Sequence, residues 1–461
     1  MTRLRLCLLL IYWGLTALCN VLGVDSWQQA SDRAGSLSMI NLIPLILVDH
    51  LSMAADLLGI RLRSYLQVHS AIGIMACLQA LAHVLIVTFS HGFSVHKSLH
   101  FYGLLSVCGL ASTVLILLLR GWFYELFIKG HYILTIFAVV MLWQHLKNVQ
   151  KSFLQLCLAV GISVFFLVTF FRWILILWRN ISAQRFGSKA CIISGKDAAE
   201  IEITLARPFN VQAGQFVYIW IPGVRGAFFQ IHPFQITWWE NQEDGKARHI
   251  ALLAKARSGF TAGLTGLDPK DVFVAWIDGP YGKPLSVSHY SHILMIATGI
   301  GIAAQIAYIR QVLDSSQCAA SPVQNVFIAW EVDKKTDLDW VNKWMCKLLQ
   351  EDTKHYMLRF ALYLPYCQPV ARSEPQGNHN RVWKLYTKMD SKRIVSDDFW
   401  GKKEKKLITI SADDYLRDDV RKLVQRQMRD SVDIIELDFQ PPQVRSVGFF
   451  KKHSKGKVSD V

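Results

Sequence analysis

From Tyr65 to Phe89 the chain runs for 25 residues without an Asp, Glu, Lys or Arg. As a helix, that stretch is long enough to cross the hydrocarbon core of a bilayer. A lipid-facing single segment has little choice but helix, because hydrocarbon offers no partner to an unpaired backbone N–H or C=O. Five more apolar segments precede residue 180, at roughly 6–24, 37–60, 101–119, 124–147 and 153–178. The first follows Arg3 and Arg5 as a signal peptide would, but it lacks a small-x-small cleavage pattern and is expected to stay as a helix. A membrane α-helical bundle of six helices is therefore expected over residues 1–184.

Charges beside the segments orient this bundle. Arg3, Arg5, Arg61, Arg63, Arg120, Lys129, Arg179, Arg185 and Lys189 fall on one side, and Arg33, Lys97, Lys147 and Lys151 on the other. The richer side is expected to be cytoplasmic, with both termini and everything after residue 180. Asn180-Ile-Ser182 matches a glycosylation sequon, but this topology keeps it from the glycosylation machinery. The formal net charge of +15, from 50 Lys+Arg against 35 Asp+Glu, belongs with such membrane edges. Without zinc-finger spacing or a stripe of alternating aromatic and basic residues, it does not predict nucleic acid as a partner. The 9 cysteines include no CxxC pair and read as small core residues.

Two imidazoles stand in the charge-free run, His69 and His83, 14 residues apart. Fourteen residues of helix advance about 21 Å through nearly a whole number of turns, so both rings share one face at two depths. The fifth segment repeats the spacing with His131 and His145. Intramembrane ionisable side chains mark function by default. The derived topology sets His69 level with His131 near the cytoplasmic end, and His83 level with His145 near the outer end. Each facing pair suits the two axial positions of one haem, which leaves iron no open position and fits electron transfer. His50 has no partner at this spacing and is expected to be satisfied locally. His91, His96 and His100 follow the third segment on the outer side and are candidates for capturing a metal ion.

After Arg185 the texture changes. "AEIEITLARPF" and "GQFVYIWIPG" alternate as strands do, with Gly and Pro as punctuation. From His292 the order becomes strand, glycine turn, helix: "ILMIAT", "GIGIAA", "QIAYIRQVLD". A second strand, "VQNVFIAWEV", and the helical "DLDWVNKWMCKLLQ" follow, as in a nucleotide-binding α/β layout. The glycine turn would aim backbone N–H groups at phosphate from a helix N-terminus. Residues 366–406 read as an insertion or loop, and "KKHSKGK" at 451–457 as a solvated basic end able to touch anionic lipid.

The set "NLIPLILV", "LSMAADLLGI", "YELF", two His-x13-His pairs, HPF (232–234), GFT (259–261) and GPYG (279–282), in that order, resembles the ferric reductase/NADPH oxidase superfamily. The resemblance implies a ferredoxin-reductase-like cytosolic module after the bundle. An antiparallel β-barrel FAD domain is expected at 185–287 and an NAD(P)H-binding α/β domain at 288–461. By resemblance, His232, Pro233, Phe234 and Thr237 line FAD, and Lys255, Gly259, Phe260 and Thr261 lie near its phosphates or ring. Gly279, Pro280, Tyr281 and Gly282, with Thr298, Gly299, Gly301 and Ile302, receive NADPH, and Lys334 and Lys335 pair with its 2′-phosphate. His69, His131, His83 and His145 ligate two b-type haems.

Three departures stand out. Gln235 follows HPF where Thr or Ser is usual, and Ser70 follows the first haem histidine where Arg is common. Ser411-Ala412-Asp413 stands where a Cys-Gly-Pro ends the last strand beside nicotinamide. The implied activity is transmembrane electron transfer from cytosolic NADPH through FAD and haem to an extracytoplasmic ferric or cupric chelate, and the resemblance implies the plasma membrane. The alternatives are dioxygen as acceptor, giving superoxide, and a non-enzymatic haem protein with an impaired reductase half.

Overall fold

A computed structural model describes residues 3–437, apart from 150, 196, 225–229, 258, 288, 317–321, 354–355, 368–372, 378–379, 396–403 and 427–431. The basic end at 451–457 lies outside the described residues. The chain divides into two compact units at Arg172 and Trp173.

The first unit is helical: α1 (Arg3–Val21), α2 (Trp27–Ile46), α3 (Leu51–Leu57), α4 (Leu62–His91), α5 (Ser98–Leu115) and α6 (Tyr124–Val149), followed by the start of α7 (Ser152–Asn180). Four helices among the described residues are long and apolar enough to cross a membrane: Leu62–Ser90, Ser98–Leu119, Tyr124–Val149 and Ser152–Asn180. The second apolar segment is not the single span expected over 37–60. Its helix begins ten residues earlier, at Trp27, where the Ser26 side chain accepts from Gln29 N. It then stops at Ile46, and α3 continues at a bend of 93°. Local chemistry explains the break. Pro44 removes a helical donor, His50 accepts from Met53 N to start α3, and Asp49 pairs with Arg172 at 2.7 Å. Counted with that bent pair, the spans number up to five, and the first apolar helix, Leu6–Val21, is shorter.

The helices associate in pairs, α2 along α4 and α5 along α6. Hydrophobic attraction between helices is weak in lipid, so small and hydroxyl residues carry more of the contact. Ser38 Oγ donates to Ala76 O at 2.8 Å, and Ser106 Oγ donates to Ala138 O at 3.1 Å. Met39, Leu42, Ala80, Leu110, Ala138 and Leu146 form the buried cluster between them.

The second unit opens with the end of α7 and the short hairpin β1 (Ile181–Ser182) and β2 (Arg185–Phe186). Then β3 (Ser188–Ser194), β4 (Ala198–Phe209), β5 (Phe216–Trp220), β6 (His232–Asn241), β7 (Ala247–Lys255) and β8 (Val272–Tyr281) close an antiparallel barrel in the order β3-β4-β7-β6-β5-β8. Alternation drives it: Ile192, Ile201, Ile203, Val217, Ile219, Ile236 and Ile277 are fully buried. The short helix α8 (Phe260–Gly263) lies between β7 and β8.

A second sheet follows, built on β9 (His292–Thr298), α9 (Ile302–Ser316), β10 (Asn325–Glu331), α10 (Asn342–Glu351) and β11 (Leu358–Tyr363). With β12 (Ser373–Pro375), β13 (Val382–Leu385), β14 (Lys406–Ser411) and β15 (Val432–Glu436), its order is β12-β13-β11-β10-β9-β14-β15. Every pairing is parallel except β12 with β13. Chain order reverses between β9 and β14, the switch point where open α/β sheets bind ligands.

Asn180, the sequon asparagine, is fully buried at the start of this unit. Its Nδ2 donates to Ile277 O at 2.7 Å and to Ile176 O at 2.9 Å, and its Oδ1 accepts from Ile277 N at 2.8 Å. It acts as a backbone mimic tying the end of α7 to β8, and carries no room for a glycan. Leaving the Ile277 pair buried and unpaired costs about 1–3 kcal/mol per group. Asn180→Ala is therefore expected to lower stability by about 2–6 kcal/mol, read as an earlier thermal midpoint of the purified full chain. A midpoint equal to wild type would contradict this role.

Candidate functional site: two imidazole pairs and a dinucleotide cleft

The four histidines come together as two pairs. His69 of α4 faces His131 of α6 with ring centroids 6.4 Å apart, and His83 faces His145 at 6.2 Å. These gaps are wider than a direct N–H···N bond requires. They match the spacing of two rings that share one metal ion, since two metal–nitrogen bonds of about 2 Å plus the depth of the rings give about 6 Å.

The ring nitrogens are sorted by their neighbours. His83 Nδ1 lies 2.8 Å from Ser31 O and 3.1 Å from Ser31 Oγ. His145 Nδ1 lies 2.9 Å from Leu99 O. A carbonyl accepts only, so each Nδ1 carries the proton and each Nε2 keeps its lone pair for a metal. In the other pair, Nδ1 of His69 is buried without a hydrogen-bond partner, and that of His131 makes no well-formed bond, its ring only approaching the Thr113 backbone. The donor set fits haem. Among the described residues the outer-loop histidines form no metal-ligating cluster. His100 Nδ1 accepts from Ser94 N at 3.0 Å and its ring stacks on Phe93, and the side chain of His91 lies outside the described residues. Among the described residues no group of three His, Cys, Asp or Glu is set for a metal ion.

In the barrel, His232 stacks on Phe260 with centroids 4.7 Å apart and planes 13° off parallel, and Phe234 stands 6.1 Å from the same ring. Burial holds the His232 imidazole down at about 4, so it is neutral at pH 7. Its Nε2 is 3.0 Å from Gln230 Oε1. On the same strand, Gln235 Oε1 and Thr237 Oγ1 are buried without partners, an unusual state for two neighbouring polar groups that a polar ligand would relieve. Those orphan atoms fit a flavin. Pro233 pairs with Tyr218 in the β5–β6 ladder. Gly259 takes φ +61 at the start of α8, and Thr261 Oγ1 accepts from Arg257 N at 3.1 Å. Lys255 is drawn to the sheet, its Nζ 3.0 Å from Asp333 Oδ2.

The glycines of GPYG let β8 cross β5 closely. A Cβ on Gly279 would stand 3.2 Å from Phe216 O, and one on Gly282 would stand 3.1 Å from Gly214 O. Between them, beside Pro280, Tyr281 OH donates to Asp278 Oδ1 at 2.5 Å. At the switch point, Thr298 ends β9, Gly299 turns at φ +48, and a single turn over Gly299–Gly301 leads into α9 at Ile302. Ile302 itself is a core residue, 1% exposed. β14 delivers Ser411 beside Gly301, and Asp413 N donates to Thr298 Oγ1 at 2.9 Å. Ser411 Oγ is buried with no partner. Lys334, expected at a 2′-phosphate, has its Nζ 2.9 Å from Asp197 Oδ1, which raises its pKa.

A cation–aromatic stack that sequence reading missed fixes α9 and α10 against the barrel wall. The Arg310 guanidinium lies 4.5 Å over Trp238 and 4.7 Å over Trp239, and Trp238 stacks on Trp344 with planes 12° apart. The only sequence trace was an unusual density of Trp.

Residues 185–285 match an FAD-binding domain family and residues 290–425 the ferric reductase NAD binding domain family. Relatives include a probable cell surface ferric reductase, kap2, of Aspergillus oryzae, 25% identical over 48% of this chain and 31% of its own. Ferric reductase transmembrane component 6 of Saccharomyces cerevisiae is 28% identical over 59% of this chain and 39% of its own. Ferric/cupric reductase transmembrane component 1 of Candida albicans is 25% identical over 74% and 46%. The chain thus spans between about a third and a half of the length of these relatives. A solved ferredoxin NADP+ reductase from Neisseria gonorrhoeae overlaps 54% of this chain and 97% of its own at 14% identity and TM-score 0.38, too loosely to carry weight. With apolar helices ahead of a flavin domain and a ferric reductase NAD binding domain in that order, the chain is a member of the ferric-reductase-like family.

Proposed function

We propose that this multi-pass chain is an oxidoreductase carrying electrons across a membrane, from cytosolic NADPH by way of FAD and two b-type haems to a ferric or cupric chelate outside. The reading rests above all on two facing imidazole pairs, 6.4 and 6.2 Å apart, on helices that precede a flavin and nicotinamide module. The relatives' names, ferric reductase and ferric/cupric reductase, support a metal chelate as acceptor. Charge around the helices supports cytoplasmic termini, and the family supports the plasma membrane.

When bound, the nicotinamide supplies a hydride, the flavin divides electron pairs, and haem iron carries single electrons. The protein's part is to hold and insulate. His69 with His131, and His83 with His145, would hold the two haems through their facing nitrogens, a bis-histidine donor set that suits electron transfer. Gln235 and Thr237 would hydrogen-bond the flavin with atoms that otherwise stay unpaired, and the stacked His232 and Phe260 would form an aromatic wall beside it. The turn at Gly299–Gly301 offers backbone N–H groups to the dinucleotide's diphosphate. Ser411 stands at the end of the neighbouring strand with a free hydroxyl for the nicotinamide, in place of a thiol.

Spectra of the purified, FAD-supplied chain under nitrogen test this. NADPH should reduce the haem, and a ferric chelate should reoxidise it faster than dioxygen does. Haem that dithionite reduces but NADPH and NADH do not would replace the proposal with a non-enzymatic haem protein. His83→Ala should halve the haem per chain and lower ferric reduction by more than the roughly 10–100-fold that outer partners of a ligand cost. Unchanged activity would sink the relay.

His232 sets a pH dependence. Its folded pKa of about 4 lies below the ordinary value of 6.5, so the unfolded chain binds the extra proton in between. The neutral ring's contribution is complete above pH 6.5 and is lost as pH falls from 6.5 towards 4. Thermal midpoints measured across that window should fall on acidification, and less steeply in His232→Gln. Equal slopes would show that the ring is not held neutral.

A further inference from the structure

We propose that Gly35 and Gly103 are positioning residues for the outer histidine pair: each is the seat that lets one imidazole donate Nδ1–H to a helix carbonyl and present Nε2 to a haem iron. This rests on the two-haem reading above.

The two seats are built alike. A Cβ on Gly35 of α2 would stand 3.1 Å from His83 Nδ1 and 3.4 Å from its Cε1. A Cβ on Gly103 of α5 would stand 2.9 Å from His145 Nδ1 and 3.0 Å from its Cε1. Both distances are tighter than side-chain atoms ordinarily accept, so only glycine leaves the ring in place. The acceptors are Ser31 O and Leu99 O, each four residues before its glycine. In a helix the carbonyl four residues back already accepts the glycine's own N–H. Each ring therefore arrives as a second donor, using the free lone pair, along the groove that the missing side chain leaves open. The same device occurs on two helix pairs, α2 with α4 and α5 with α6, around the two members of one pair.

The inner pair is held differently. Nδ1 of His69 has no hydrogen-bond partner, and the His131 ring has only a looser approach to the Thr113 backbone, outside ordinary hydrogen-bond geometry. The glycine one turn beyond His69, Gly73, would place a Cβ no closer than 3.7 Å to anything, the Leu45 side chain. An Nδ1–H···O=C bond fixes the tautomer and ring orientation and makes the imidazole a stronger donor. Such a bond would lower the potential of the haem it serves relative to that same haem without it.

The test uses the full chain in detergent, with haem per chain, low-temperature EPR and a redox titration as readouts. Gly73→Ala is the control and should keep two haems at wild-type potentials. Gly35→Ala and Gly103→Ala should each raise the same one of the two potentials and change one EPR signal, or lose that haem alone, while the other component stays put. Ser31→Ala keeps the carbonyl but removes the hydroxyl beside His83 Nδ1, and should move the same component by less. Glycine variants indistinguishable from wild type overturn the proposal. So does a joint shift or joint loss of both haems, which marks a general packing defect. Wild-type protein without haem overturns the two-haem reading itself, and this inference with it.

Discussion

Four imidazoles inside an apolar bundle set terms that the rest of the first unit meets. A polar ring in lipid needs a partner on each nitrogen, or a reason to lack one. At 6.4 and 6.2 Å between centroids, neither pair can satisfy itself by bonding ring to ring. In the outer pair one nitrogen per ring is satisfied by carbonyls of α2 and α5, which leaves the facing nitrogens as the ones that need something between them. The supporting helices are held at the right depth by hydroxyl bridges, Ser38 to Ala76 and Ser106 to Ala138. Packing and chemistry thus share the same two helix pairs.

The break between α2 and α3 belongs to the same arrangement. A straight helix through 47–50 would carry Asp49 into lipid unpaired. Turning by 93° instead brings it to Arg172 of α7, both side chains mostly buried, and sets its backbone carbonyl to accept from Tyr132 OH, next to His131. A buried ion pair is a poor source of net stability, but removing either partner strands a charge. The pair is better understood as fixing where the chain turns.

The fold class was legible because its signals are periodic and long-range consistent. Charge-free runs longer than 20 residues, strand alternation ending near Tyr281, and a glycine turn between Thr298 and Ile302 each have one cheap structural solution. The bend in the second segment was not legible, since apolar counts cannot distinguish a straight span from two shorter helices. The spacing of His69 and His83 pointed to one face of one helix, and that face meets His131 and His145. What supports them, a carbonyl and a missing Cβ on neighbouring helices, leaves no mark in sequence, because Gly35 and Gly103 look like any small membrane residue. Lys255 and Lys334 show the opposite limit. Without a dinucleotide bound their ammonium groups rest on Asp333 and Asp197, partners that their sequence positions did not announce.

That capture has a consequence for the dinucleotide. Asp197, Asp333 and Asp337 stand with Lys255 and Lys334 around the glycine turn, and Asp337 is almost fully buried. A Cβ on Gly299 would lie 2.7 Å from the Asp333 carboxylate. Three acidic groups against two basic ones do not attract a phosphate by charge alone. An incoming diphosphate must therefore take its hydrogen bonds chiefly from backbone N–H groups at the start of α9, where the helix dipole favours an anion. A 2′-phosphate asks more, since Lys334 must first leave Asp197, and that exchange trades one exposed ion pair for another of similar small worth. Lys334 is thus held by Asp197, not waiting unpaired.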